Sequence, residues 1–91
     1  MIKPINSIQD LGLIVREVRK AQGIRQDELA AMVPASHVFI IDVERGKPSA
    51  QVGKVFALLR ELGIRLSVDI PEATAATKKQ RTKRTASQRN G

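Results

Sequence analysis

The chain has 91 residues, enough for one domain, and it contains no cysteine, which excludes a disulfide framework and a thiolate metal site. Its formal charge of +7 points to a polyanionic partner, but residues 1–70 carry only +2 of it and residues 71–91 carry +5. Two phenylalanines are the whole aromatic complement, which argues against modules that stack single-stranded bases and leaves duplex DNA as the better polyanion.

The first seven residues read as an N-terminal arm without the apolar stretch of a signal peptide. Ser7 and Asp10 have capping-box spacing, and Ile8, Leu11, Val15 and Val18 follow at helical spacing, so a first helix is expected from residue 8 to about Gln22, closed by Gly23. Leu13 and Ile14 lie outside that stripe. They are read as widening the core face, with a partner surface as the alternative.

A short second helix is expected from about Gln26 to Val33, with Asp27 and Glu28 in its first turn, Leu29 and Ala30 facing inward and Pro34 stopping it. Ser36 caps a third helix running to about Arg45, with Ile40 and Val43 buried and Gly46 at its end. Ser49 is expected to cap a fourth, about residues 50–62, whose apolar face is Val52, Val55, Phe56, Leu59 and Leu62, and Gly63 ends it.

Residues 64–70, Ile-Arg-Leu-Ser-Val-Asp-Ile, alternate strictly and predict a half-buried strand. A lone strand has no partner for its ladder groups, so pairing with the same strand of a second molecule is the economical solution. Leu66, Val68 and Ile70 are its dimerisation residues; an extended segment lying on its own helices is the plainer alternative. Residues 71–91 contain no large apolar residue and are expected to form a disordered basic tail. A solubilising tail, a DNA-backbone arm and a segment captured by a partner remain open for it.

No catalytic constellation is visible. The chain has one histidine, no tyrosine and no glycine-rich phosphate loop, so no enzyme activity, metal or cofactor is expected. No apolar run approaches the ~20 residues of a membrane span, and a soluble cytoplasmic protein is expected.

Two short helices joined through Met32-Val33-Pro34-Ala35-Ser36 have the spacing of a helix-turn-helix unit, whose second helix is expected in the major groove of DNA, although many helical hairpins do no reading. The spacing of Arg19, Gly23, Gln26, Glu28-Leu29-Ala30 and Glu44-Arg45-Gly46-Lys47 resembles the Xre/Cro-type helix-turn-helix family over residues 8–63. The resemblance implies an all-α, lambda-repressor-like bundle of four to five helices. It implies a structural salt bridge between Arg19 and Glu44. It also implies DNA contacts from Gln26, from Ser36, His37, Val38, Ile41 and Asp42 on the third helix, and from Arg45 and Lys47 at its backbone-contacting end. Val38 offers a base only apolar contact, suited to a thymine methyl, and Asp42 only an acceptor, suited to cytosine N4.

The helix ending Leu-Leu-Arg-Glu-Leu-Gly, flowing into one alternating strand, is most similar to the HipB-type antitoxins. That similarity implies a homodimer capped by paired strands, a palindromic operator, and a HipA-type kinase toxin as partner. A stand-alone or phage-type repressor, and an interaction module whose reader has decayed, are the competing expectations.

Overall fold

The computed structural model describes residues 1–72, and the expected basic tail lies outside that range beyond Glu72. Four α-helices follow one another: α1 Ile8–Ala21, α2 Gln26–Met32, α3 His37–Glu44 and α4 Val52–Leu62. Among the described residues this is the expected all-α helix-turn-helix bundle, with four helices.

Local chemistry sets the helix ends. Ser7 Oγ accepts from Asp10 N at 3.0 Å and starts α1. The reciprocal half of the expected capping box is displaced by one residue, because the Asp10 carboxylate accepts from Asn6 N at 2.9 Å. Glu28 Oε1 accepts from Arg25 N at 2.8 Å at the head of α2, and Ser36 Oγ accepts from Phe39 N at 3.0 Å at the head of α3. Three helices close alike. The amides of Ile24, Lys47 and Ile64 donate to the carbonyls of Arg19, Asp42 and Leu59 at 3.1, 2.9 and 2.9 Å, each just past a glycine of positive φ. Gly46 is doubly constrained: its φ is +78°, and a Cβ there would lie 2.7 Å from Gln9 of α1.

The core consists of Leu11 and Val15 of α1, Leu29 and Ala30 of α2, Ile40 and Val43 of α3, and Val55, Leu58, Leu59 and Leu62 of α4. Full burial of a side chain of this kind contributes about 1.5–3 kcal/mol. α3 packs against both α1 and α2, and α4 against α1. The approach of α1 to α3 is close because Gly12 has no side chain; a Cβ there would run into the carbonyl oxygen of Val43 and lie 2.7 Å from that of Glu44.

Three expectations need correction. α4 begins at Val52 with Gln51 at its N-cap and no side-chain cap, because Ser49 and Ala50 are spent in a turn closed by Ala50 N on Lys47 O at 3.3 Å. The buried stripe of α4 is Val55, Leu58, Leu59 and Leu62, so Leu58 enters the core while Val52 and Phe56 are exposed. Leu13 does not widen the core; it is 55% exposed, and Ile14 is half-buried.

Residues 64–70 leave α4 and make no ladder with any described residue. Ile64 packs on the core, whereas Leu66, Val68 and Ile70 are exposed. Among the described residues, no helix is long and apolar enough to cross a membrane, and no group of three or more His, Cys, Asp or Glu side chains gathers as a metal site.

Candidate nucleic-acid interface

α3 is divided lengthwise. Ile40, Val43 and Glu44 point into the protein, and the opposite face carries His37, Val38, Ile41 and Asp42, continued by Arg45 at the C-cap. The split follows from helical spacing: residues 37, 38, 41, 42 and 45 recur one turn apart. His37, Val38 and Arg45 are exposed, Ile41 and Asp42 half-buried, and Val38 presents an apolar side chain to solvent at 63% exposure. Lys47 lies past Gly46 and reaches back, its Nζ 3.4 Å from Asp42 Oδ2. The one carboxylate on the outward face thus has a cation beside it, which offsets the repulsion it would otherwise exert on phosphate.

α3 is anchored from behind by a buried ion pair. Arg19 Nε donates to Glu44 Oε2 at 2.6 Å and Nη2 to Glu44 Oε1 at 3.2 Å, while Nη1 donates to the Ile24 carbonyl at 2.9 Å. The two side chains are only 8% and 4% exposed. The bidentate geometry satisfies both charges at once, as burial of an ion pair requires. The expected Arg19–Glu44 bridge is present, and it joins α1 to α3.

The bridge extends to the surface. Gln26 Nε2 donates to Glu44 Oε1 at 3.0 Å, and Gln26 Oε1 stands 3.2 Å from His37 Nε2. With its amide nitrogen committed to Glu44, Gln26 turns its oxygen to His37, so His37 Nε2 is the donor of that pair. Four side chains from three helices form one hydrogen-bonded series running from the core to the first residue of α3. The Gln26–Glu44 contact has no signal in the sequence, since 18 residues and a turn separate the two.

Ser36 is exposed but serves as the N-cap of α3, so its hydroxyl acceptor is engaged by the helix. Ser36 and His37 lie at one end of α3 and Arg45 and Lys47 at and beyond the other, while the Gln26 side chain of α2 bonds to both the first and the last residue of α3. Next to this surface, Arg25 Nε donates to Asp27 Oδ1 at 3.1 Å, and that hydrogen bond holds the Asp27 carboxyl below its ordinary pKa. On the far side of α3, Phe39 lies under Lys54 Nζ at 6.0 Å from the ring centre, a cation–π contact between α3 and α4.

A sequence model of the helix-turn-helix family matches residues 15–68, which contain this whole arrangement. The chain is 46% identical over 71 residues to an uncharacterised helix-turn-helix-type transcriptional regulator, y4mF, of Sinorhizobium fredii, an overlap of 78% of this chain and 93% of that protein. Among solved structures, its fold is similar to a chain of a HipA–HipB–O2–O3 complex, with a TM-score of 0.70 at 21% identity, covering 78% of this chain and 100% of the other. A chain of a HipB–O4 20mer complex matches with the same values.

Proposed function

The chain belongs to the Xre-type helix-turn-helix family of DNA-binding regulators, which are not enzymes, and from that premise we propose that it is a sequence-specific repressor acting as a homodimer on a palindromic operator. The observation that carries the reading is the outward face of α3. His37, Val38, Ile41, Asp42 and Arg45 form a continuous surface on a helix fixed from behind by a buried ion pair. A helix held so rigidly can present its side chains to base edges in the major groove, while α2 meets the backbone. Gln26 of α2 and Lys47 beyond the end of α3 are the proposed phosphate contacts beside that face. The domain plan that goes with this reading is an arm over residues 1–7, a reader over 8–63, a dimerisation strand over 64–70 and a basic tail over 71–91.

The finer assignment is an antitoxin of a cytoplasmic HipA-type kinase toxin, acting on its own operon. Two features support it: the likeness of the fold to HipB chains, and the passage from α4 directly into an alternating segment that ends in exposed Leu66, Val68 and Ile70.

The test is fluorescence anisotropy on a duplex from upstream of the protein's own coding region, against a scrambled duplex at the same salt. Preference of about 10³-fold or more supports a specific reader; equal binding to both contradicts it. Copurification with a kinase-like product of an adjacent gene supports the antitoxin assignment, and its failure leaves a regulator without a toxin.

A further inference from the structure

The segment after α4 has a symmetry that its alternation alone does not require. Around Ser67, Leu66 mirrors Val68, Arg65 mirrors Asp69 and Ile64 mirrors Ile70. Apolar residues reflect onto apolar ones, and the single cation reflects onto the single anion. Arg65 and Asp69 are exposed and form no ion pair with any described residue.

Resting on the homodimer reading above, we infer that two copies pair antiparallel through residues 64–70 in one register centred on Ser67, with Arg65 of each copy opposite the partner's Asp69. The geometry of a two-fold antiparallel pair leaves few alternatives. Registers that place the axis between two residues set apolar side chains against polar ones and turn the wrong faces together. An axis at Leu66 leaves Asp69 opposite Gly63 and Ile70 opposite Leu62, the last residue of α4. An axis at Val68 sets Arg65 opposite Pro71 and Ile64 opposite Glu72. Only the axis at Ser67 pairs all seven residues, joins like with like on the apolar face, and forms the Arg65–Asp69 pair twice. Opposite charges directly across strands stabilise a pair, and like charges destabilise it.

The same register accounts for an exposed apolar surface. Phe56, Leu59, Arg60, Ile64, Arg65 and Leu66 line a groove of about 280 Å³ beside α4, and Phe56 is 43% exposed there. Centring on Ser67 brings the partner's Ile70 opposite Ile64, one of the residues that line that groove. The occupant of the groove is therefore the strand end of a second copy.

The experiment is sedimentation of the full chain at low salt, as the wild type, as R65D, as D69R, as the double variant, and as an equal mixture of the two single variants. In the inferred register each single variant faces itself with two like-charge pairs, and its dimer dissociation constant should rise on the order of ten-fold. The double variant restores both pairs. The mixture also restores them, because a heterodimer of R65D with D69R sets Asp against Arg at both positions. Wild-type-like association of the mixture, with both single variants weakened, supports the register. Single variants that dimerise as the wild type does, with no preference for the mixed dimer, overturn the register and leave the dimer standing. A wild type that stays monomeric at micromolar concentration overturns the dimer reading and the register with it.

Discussion

Gln26 Nε2 donates to Glu44 Oε1 at 3.0 Å, so the first residue of α2 is tied to the last residue of α3. That bond ties the two helices of the reader to each other as well as to α1 through Arg19. It also fixes the orientation of the Gln26 amide, and with it the hydrogen bonding of His37.

Gln26→Ala should therefore act twice. It removes a hydrogen bond to a charged, buried carboxylate, which costs about 1–3 kcal/mol of stability. It also frees His37, so base preference at the position His37 reads should broaden while preference elsewhere in the operator is kept. Urea unfolding and binding to single-base operator variants measure the two effects separately. Unchanged preference at every position would mean that Gln26 does not position His37.

Glu44→Ala strands the Arg19 guanidinium at 8% exposure without its partner, and should destabilise the fold by about 3–5 kcal/mol. The double variant Arg19→Met with Glu44→Leu removes both charges and should lose much less than the single one. Denaturant midpoints of the three proteins decide this. A single variant as stable as the double would contradict the account of the anchor.

Gly12→Ala adds one methyl where the carbonyls of Val43 and Glu44 already stand, and both are backbone atoms. α1 and α3 must separate, at a cost of about 1–3 kcal/mol. Because Gln9 reaches the Gly46 carbonyl from the same helix at 3.4 Å, the end of α3 should shift too. A lowered melting temperature together with weaker DNA binding is the expected result; a neutral substitution would contradict the close approach.

Much of this is legible in the chain. Ser7, Ser36, Gly23, Gly46 and Gly63 mark helix ends by local hydrogen bonding, which acts over a few residues and therefore shows in sequence. Arg19 and Glu44 follow from the family pattern rather than from their spacing. The inward face of α4 is not legible, because Val52, Val55, Phe56, Leu58, Leu59 and Leu62 are apolar over more than one stripe. Packing on the rest of the bundle, α1 above all, selects Val55, Leu58, Leu59 and Leu62, leaving Phe56 at the groove. Gln26 is readable as a surface residue of the reader, but its bond to Glu44 depends on how α2 sits against α3, which no spacing rule encodes.

The charge split of the sequence yields a further prediction. Residues 72–91 contain six Lys or Arg and one Glu, and truncation after Pro71 removes them. If these cations meet phosphates, the slope of log affinity against log salt should flatten by about 0.9 for each phosphate the tail neutralises, and all duplexes should be weakened alike. Operator preference should survive, because the base-reading side chains are on α3. An unchanged salt slope would assign the tail a role away from DNA.

The central claim is that α3 reads bases, twice, across a two-fold axis. Selection on random duplexes, performed with the wild type and with His37 and Val38 exchanged in turn, tests it most directly. The account predicts an inverted repeat with half-sites about one helical turn apart, ~34 Å, and altered bases at mirrored positions when either residue is exchanged, at roughly 1–3 kcal/mol per base-reading pair. A single asymmetric half-site, or a repeat that neither exchange alters, would contradict it.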